Sequence, residues 1–158
     1  MKDGFIKVAA ASPDLRVADC DYNGKQILET IRKAENRGVK LMVFPELCIS
    51  GYTCGDLFLQ DALLKACEQT LDMLLQETAE LDILYVVGMP YAYKNKLYNV
   101  AVFCKENEIL MVVPKTNIPN YQEFYEVRHF AEGHRETEYI VLAGREAAFG
   151  TDRLLVCE

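Results

Sequence analysis

The chain has 158 residues, with 17 lysines and arginines against 24 aspartates and glutamates, and its formal net charge is −7. A chain of this length builds one domain with its own hydrophobic core. The acidic balance argues against nucleic acid or a membrane surface as a partner, because both attract clustered positive charge. The longest apolar runs, such as 83–87, are far shorter than the roughly 20 residues that span a bilayer.

The six cysteines indicate the cellular compartment. They lie mostly inside apolar runs and not in loops, which is typical of a reducing environment, so we predict a cytoplasmic protein. No Cys-x-x-Cys pair occurs, and His129 and His134 are five residues apart instead of the four found on metalloprotease helices. We therefore expect no metal site in this chain.

Hydrophobic periodicity predicts alternating strands and helices. Apolar residues spaced three and four apart indicate helices, whereas short apolar runs indicate buried strands. Gly38 is a natural end for the first helix, and 105–108 is typical of a hairpin turn. The predicted elements are a buried strand at 6–11, a helix at 19–37, a strand at 41–44, a helix at 61–81, and strands at 83–88, 98–103 and 109–113.

This order predicts parallel pairing of the early strands through helical crossovers, followed by an antiparallel hairpin. Residues 114–135 break the pattern with prolines and aromatic residues, as functional loops often do. No linker interrupts the chain, so we interpret 1–158 as one domain. The apolar run 154–157 resembles a strand and directly precedes the last residue, which predicts that the chain is the N-terminal part of a longer protein.

Two strand-end residues of opposite charge are candidates for catalysis. Glu46 follows a buried strand and Pro45, at the edge where α/β sheets place their active sites. A carboxylate beside apolar neighbours there is a candidate general base. Lys115 follows Pro114 at the end of another strand and could present a positive charge to an oxyanion. The alternative for both residues is a solvated side chain at a strand end.

A third group of candidates lies in the irregular segment. Tyr121, Glu123 and Glu126 could line a pocket with both rings and charges. Their alternative roles are packing for the tyrosine and a solvated face for the two acids.

Several motifs together resemble a known family. Residues 43–52 (VFPELCISGY) and 113–116 (VPKT) are similar to the glutamate and lysine motifs of the nitrilase (carbon–nitrogen hydrolase) superfamily, which uses a Glu–Lys–Cys triad. The resemblance is closer to one branch, the N-terminal glutaminase domain of glutamine-dependent NAD synthetases. The stretches that carry this closer resemblance are 44–58, 88–90, 97–101 and 114–126.

The resemblance implies a fold and an activity. The fold would be α/β, a nitrilase-like α-β-β-α sandwich that is incomplete at the C-terminus of this chain. The activity would be hydrolysis of the glutamine amide, supplying ammonia to a C-terminal synthetase domain that converts deamido-NAD to NAD with ATP. Glu46 would be the general base and Lys115 the oxyanion-stabilising lysine. The residues implied to bind the substrate are Tyr121, Glu126, Glu123 and Tyr52.

The second glutamate is left open by the sequence. Glu126 suits the α-amino group of glutamine, because a carboxylate can pair with an ammonium group. Glu123 competes for the same role, and their positions in the sequence do not separate them. Tyr52 is a candidate for a wall of the pocket.

The nucleophile of the implied triad is not evident. Cys157 is the only cysteine downstream of Lys115, and it precedes Glu158 as the family nucleophile precedes an acid. The family places a glycine four residues before its cysteine, however, and this chain has Arg153 there. We therefore expect the nucleophile beyond Glu158 and predict that these 158 residues are inactive alone, with Cys157 as the weaker alternative.

Two other functions remain open, a stand-alone nitrilase or amidase acting on another carboxamide, and a non-catalytic binding module. Neither a Ser-Gly-Gly-x-Asp-Ser loop nor a Gly-x-x-x-x-Gly-Lys-Ser/Thr loop occurs in the chain, so we expect no cofactor here. ATP and magnesium would belong to the synthetase domain. The expected partners are glutamine, that domain and further copies of the chain in a homo-oligomer.

Overall fold

The computed structural model describes residues 4–156 and has helices on one face of a mixed sheet. The α/β class predicted from the sequence is therefore confirmed. Two short 3-10 helices, Gly55–Leu59 and Glu126–Arg128, lie in the connecting segments. The main elements are β1 (Val8–Ala10), α1 (Cys20–Glu35), β2 (Leu41–Val43), α2 (Asp61–Glu77), β3 (Leu84–Tyr93), β4 (Lys96–Lys105), β5 (Glu108–Pro114), β6 (Glu138–Leu142) and β7 (Arg145–Phe149).

The strands within residues 4–156 form one sheet in the order β1-β2-β3-β4-β5-β7-β6. β1, β2 and β3 pair in parallel, and β4 and β5 form an antiparallel hairpin, as predicted. β3 also pairs antiparallel with β4, which was not predicted. The predicted turn between β4 and β5 is present, with Glu106 and Asn107 both at positive φ. The hairpin of β6 and β7 was not predicted. It follows the irregular segment and joins the sheet through parallel pairing of β7 with β5.

The start of helix α1 and the turn after it follow signals in the sequence. The side chain of Asp19 accepts a hydrogen bond from the backbone of Tyr22, which satisfies a free amide of the first turn. Gly38 lies just after the helix with φ of +74°, a conformation that suits glycine. The helix ends at Glu35, two residues before the predicted end, and α2 ends at Glu77, four residues before its predicted end.

Both helices pack on the same face of the sheet and form the main core with it. Ile27 and Ile31 of α1, Leu71 and Leu74 of α2, and Tyr85 of β3 are completely buried there. The opposite face carries apolar side chains that this core does not include. Exposed examples on that face are Val43, Tyr139 and Val141.

Two predictions about strands are wrong. β1 is not buried, because it is an edge strand that pairs only with β2 and leaves Val8 58% exposed. Residues 154–156 form no strand, and Leu154 and Val156 are exposed, since they extend past the last paired residues of β7. Cys157, the last residue of the predicted apolar run, lies outside the described residues.

Gly24 allows α1 and α2 to pack closely against each other. A Cβ atom added to Gly24 would lie 2.5 Å from Cγ2 of Thr70 and 2.9 Å from Cε of Met73. Replacing Gly24 with alanine should therefore lower the free energy of unfolding by about 1–2 kcal/mol, because overpacking outweighs the helix propensity gained. Urea denaturation measures the change. The control is Lys25→Ala on the solvent side, which should cost only a few tenths of a kcal/mol, and a Gly24→Ala protein more stable than wild type would contradict the prediction.

Candidate active site

Glu46 lies in a tight turn that follows β2, as predicted. The turn is fastened to β3 by two backbone hydrogen bonds, from Phe44 N to Val86 O (2.9 Å) and from Ile49 N to Gly88 O (3.1 Å). The side chain of Glu46 is 41% exposed, so it is less buried than a carboxylate held among apolar neighbours would be. Its carboxylate is fixed by polar partners instead.

Lys115 follows β5 directly, and its position is set by its backbone. Its amide donates to the carbonyl of Asn99 on β4 (2.8 Å), and its carbonyl accepts from the amide of Gly133 (2.8 Å). Nζ of Lys115 lies 2.7 Å from Oε1 of Glu46, although the two residues are 69 positions apart. The Glu46 turn folds across β3 and β4 and so brings the carboxylate to the end of β5.

Glu126 completes a charged cluster with these two residues. Its side chain is only 7% exposed, and its two carboxylate oxygens accept from Nζ of Lys115 at 2.9 and 2.8 Å. The hydroxyl of Tyr52 donates to Oε1 of Glu126 at 2.6 Å. The lysine ammonium therefore bridges two carboxylates, and we call Glu46, Lys115, Glu126 and Tyr52 the acid–lysine cluster.

Two groups of the acid–lysine cluster have displaced pKa values. Desolvation alone would lower the pKa of Lys115, but hydrogen bonds to Glu126 and Glu46 and their charges outweigh it, so the pKa is raised. Desolvation raises the pKa of Tyr52, and the hydrogen bond to Glu126 raises it further. At neutral pH, Lys115 is therefore a cation and Tyr52 a neutral donor.

The structure separates the two candidate glutamates. Glu126 is buried in the cluster, whereas Glu123 is exposed and outside its hydrogen-bond network. Tyr121 is also outside it, 63% exposed, with its ring 5.5 Å from that of Phe124. The predicted substrate-binding roles of Tyr121 and Glu123 stay predictions.

Asn99 belongs to the site but was not singled out in the sequence. It is 3% exposed, and its side-chain amide donates to Oε1 of Glu46. Its backbone carbonyl also holds the amide of Lys115. The signal for it was present, since Asn99 is a polar residue inside the otherwise apolar centre of β4. A polar side chain buried in a strand needs a partner, and Glu46 is that partner.

None of the cysteines within residues 4–156 has a hydrogen bond from its Sγ atom to Glu46 or Lys115. Cys48 is nearest in sequence to Glu46, but its Sγ atom lies 3.7 Å from the carbonyl of Gly88, and burial raises its pKa to about 12. A thiolate is the reactive form of cysteine, so Cys48 is poorly suited to attack. Cys157 lies outside the described residues. The cysteines that the structure describes as free and buried are Cys20, Cys48, Cys54, Cys67 and Cys104.

A cavity of about 370 Å³ opens beside the cluster, on the face of the sheet away from the helices. Glu46, Asn99 and Lys115 form its polar end, and Val86 and Val113 form part of its apolar wall. Within residues 4–156, no group of three or more His, Cys, Asp and Glu side chains is arranged to hold a metal ion. None of the helices among these residues has the length and apolarity needed to cross a membrane.

Asp56 fastens the segment that carries Glu126 to the rest of the site. Arg128 donates to both carboxylate oxygens of Asp56, at 2.9 and 3.1 Å, and Nε2 of His129 lies 3.2 Å from the same carboxylate. Hydrogen bonds with Arg128 and His129 hold the pKa of Asp56 at about 2. Phe58 packs edge-on against Phe130 with ring centroids 5.0 Å apart. These contacts join the 3-10 helix Gly55–Leu59 to the segment that carries Glu126.

Replacing Arg128 with alanine should loosen the Glu126 segment without unfolding the chain. The amides of His129 and Phe130 donate to the carbonyl of Glu126 at 2.9 and 2.8 Å, so their hydrogen exchange reports on this segment. We expect their exchange to become about threefold faster, because the ion pair is exposed and contributes modestly. The matched control is Arg37→Ala, in the turn that follows α1. Unchanged exchange in the Arg128→Ala protein would show that the ion pair does not hold the segment.

Comparison with known proteins identifies relatives that cover nearly the whole chain. A family model described as carbon–nitrogen hydrolase matches residues 7–153. The chain is 42% identical over 151 residues to the glutamine-dependent NAD(+) synthetase of Mycobacterium tuberculosis (strain ATCC 25618 / H37Rv), covering 96% of this chain and 22% of that protein. It is 33% identical over 154 residues to the same-named protein of Aquifex aeolicus (strain VF5), covering 98% and 26%. The chain thus spans about a quarter of the length of these relatives.

Two solved structures are also similar to this chain. The crystal structure of a glutamine-dependent NAD(+) synthetase from Cytophaga hutchinsonii superposes with a TM-score of 0.89 at 27% identity, covering 97% of this chain and 26% of that one. An amidase from Nesterenkonia sp. superposes with a TM-score of 0.71 at 18% identity, covering 94% and 56%. The second likeness concerns the fold alone.

Proposed function

Because the chain belongs to the carbon–nitrogen hydrolase family, we propose that the acid–lysine cluster is part of a site that hydrolyses the side-chain amide of glutamine. The nitrilase-like fold predicted from the motifs is confirmed, and so is the resemblance to glutamine-dependent NAD synthetases. The observation that carries the proposal is the contact of Lys115 Nζ with Glu46 at 2.7 Å. It joins the two charged groups that this chemistry needs.

Glu46 and Lys115 act directly in the proposed reaction. A cysteine thiol transfers its proton to Glu46 and attacks the amide carbon, while Lys115 stabilises the negative charge that develops on the carbonyl oxygen. The carbon–nitrogen bond then breaks, and ammonia leaves with the proton held by Glu46. Water, deprotonated by Glu46, hydrolyses the thioester and releases glutamate and the free thiol.

Glu126 is favoured over Glu123 as the second glutamate of the site. Its carboxylate already accepts from Lys115 and Tyr52, so it fixes the ammonium group of Lys115 between two acids. One carboxylate can accept several hydrogen bonds, which leaves Glu126 able to receive the α-amino group of glutamine as well. Tyr52 holds Glu126 in place, and Tyr121 is proposed to cover the bound substrate.

The cysteine of the reaction is proposed to lie beyond Glu158. Cys48 is hydrogen-bonded to β3 and has a raised pKa, so it does not fit the role. Without that cysteine, these 158 residues would bind glutamine but not hydrolyse it. The relatives are named glutamine-dependent NAD(+) synthetases. We propose that in the longer protein the ammonia serves a synthetase domain that forms NAD with ATP and magnesium. We propose that the longer protein assembles as a homo-oligomer.

The test is made on the purified 158-residue chain. Isothermal titration calorimetry with glutamine should detect binding that glutamate, which lacks the amide, does not reproduce. A coupled assay should detect no ammonia. Ammonia release abolished by Cys157→Ser would show that the nucleophile is within the chain, and absence of both binding and release would contradict the assignment of the site. Binding by the chain, without turnover in a version extended past residue 158, would indicate a binding module instead.

A further inference from the structure

Two cysteines face each other between the helices, away from the acid–lysine cluster. Sγ of Cys20, the first residue of α1, lies 3.6 Å from Sγ of Cys67 in α2. The two residues are 3% and 0% exposed. They are 47 positions apart in the chain, so no local turn of the backbone forces them together.

We propose that Cys20 and Cys67 are a site of reversible oxidation, at which hydrogen peroxide forms a disulfide that joins α1 to α2. The proposal does not depend on the function of the acid–lysine cluster. It concerns a pair of groups that the proposed hydrolysis does not use.

The packing of the helices brings the two thiols within reach of a bond. Gly24 lies one turn after Cys20, and Thr70 lies one turn after Cys67, and these two residues make the close contact described above. A glycine at this crossing lets the two helices approach closely, one turn away from the cysteine pair whose sulfur atoms lie 3.6 Å apart. The sulfur atoms must then move about 1.5 Å nearer to reach an S–S bond of about 2.05 Å.

The two thiols have different roles. Cys20 is at the N-terminus of a 16-residue helix, where free backbone amides and the helix dipole favour a negative charge. The hydrogen bond from Cys67 lowers the pKa of Cys20 and outweighs the opposing effect of burial, while the pKa of Cys67 is raised. Cys20 is therefore the thiol that is oxidised first, and Cys67 is the thiol that resolves the product.

The reaction balances with one molecule of peroxide. Cys20 loses its thiol proton, and the thiolate attacks one peroxide oxygen as the O–O bond breaks. Cys20 becomes a sulfenic acid, and the departing hydroxide takes up the proton and leaves as water. The thiol of Cys67 then attacks Sγ of Cys20, loses its proton and expels the hydroxyl group as a second water. Two thiols have together lost two electrons and two protons, and a dithiol reductant reverses the change.

The disulfide would close a loop that contains both Glu46 and Tyr52. It would therefore restrict the segment that holds half of the acid–lysine cluster. Because both thiols are buried, oxidation requires local opening of the N-terminal turn of α1, and we expect it to be slow compared with that of an exposed thiol.

The experiment uses the full chain under native conditions. The protein is treated with hydrogen peroxide, its remaining thiols are alkylated, and the digest is analysed by mass spectrometry without reduction. We expect a peptide pair joined through Cys20 and Cys67 that lacks two hydrogen atoms and is separated by dithiothreitol. Cys20→Ser and Cys67→Ser should each abolish it, whereas Cys104→Ser, which removes a buried thiol of β4, should leave it unchanged.

Several results with the wild-type chain would overturn the proposal. Cys20 and Cys67 could remain reduced after other thiols have reacted. Either of them could instead form a disulfide with another cysteine, or Cys20 could be oxidised to a sulfinic acid without a bond to Cys67. The Cys54→Ser protein adds a further control, because Cys54 is a free, buried thiol that interacts electrostatically with both Cys20 and Cys67. Loss of the Cys20–Cys67 product in Cys54→Ser would show that Cys54 takes part, contrary to the proposed pair.

Discussion

The Lys115→Met protein is expected to be less stable than wild type by about 3–5 kcal/mol at neutral pH. Lys115 is the cation between Glu46 and Glu126, and Glu126 is only 7% exposed. Removing the ammonium group leaves the buried carboxylate of Glu126 with a hydroxyl as partner but with no positive charge. The cost comes from that uncompensated charge, since methionine preserves most of the side-chain volume.

A double-mutant cycle tests this cause. Glu126→Gln removes the buried charge, so the Lys115→Met/Glu126→Gln protein should recover most of the lost free energy of unfolding. The surface control is Lys25→Met, which breaks an exposed pair with Asp21 and should cost less than about 1 kcal/mol. Urea denaturation gives all the values. If the double variant is no more stable than Lys115→Met, the loss comes from packing and not from the charge of Glu126.

The contribution of Lys115 to the free energy of unfolding depends on pH, and the sign of this dependence is defined. The pKa of Lys115 is raised above its ordinary value of 10.5, so the folded chain holds this proton more tightly than the unfolded chain. Its contribution to stability is therefore complete below about pH 10 and is lost as the pH rises through the raised pKa. The difference between wild type and Lys115→Met should stay constant from pH 6 to pH 9 and shrink only above pH 10. A difference that shrinks already at neutral pH would contradict the assignment.

The strand-end residues could be predicted from the sequence because local signals fix them. Glu46 and Lys115 each follow a proline after an apolar run, and α/β sheets gather the ends of their strands at one edge. Which of Glu123 and Glu126 is buried could not be predicted in this way. They are three residues apart in an irregular segment, where neither period 2 nor period 3.6 indicates which side chain points inward.

Some features could not be predicted because they depend on contacts between residues far apart in the chain. The clamp of Arg128 on Asp56 joins residues 72 positions apart, and no local pattern marks either of them. Burial of β1 was mispredicted for a similar reason, because an apolar run at the edge of a sheet looks the same in sequence as one at its centre. The hairpin of β6 and β7 did have a signal, since Ile140 and Leu142 alternate with exposed side chains before Gly144.

The Gly88→Ala protein is expected to lose about 3 kcal/mol of stability and to lose the geometry of the cluster with it. A Cβ atom on Gly88 would lie 2.4 Å from the backbone nitrogen of Leu47 and 3.0 Å from the carbonyl carbon of Glu46. These are backbone atoms in the centre of the site, so no flexible side chain can move aside. The Glu46 turn must shift away from β3, and the carboxylate of Glu46 then leaves Lys115 and Asn99.

The matched control for Gly88→Ala is Gly38→Ala. Gly38 has φ of +74° and no neighbouring atom within 4 Å of an added Cβ, so alanine there costs only the strain of the left-handed conformation, about 1 kcal/mol. Urea denaturation and calorimetry with glutamine should show that Gly88→Ala loses both stability and binding, while Gly38→Ala keeps its binding. The prediction would be contradicted if Gly88→Ala were within about 1 kcal/mol of wild type in stability and bound glutamine equally well. That result would mean that β3 shifts to accommodate the methyl group. In that case Gly88 would not fix the Glu46 turn, and the hydrogen bonds from Phe44 and Ile49 to β3 would be sufficient to hold it.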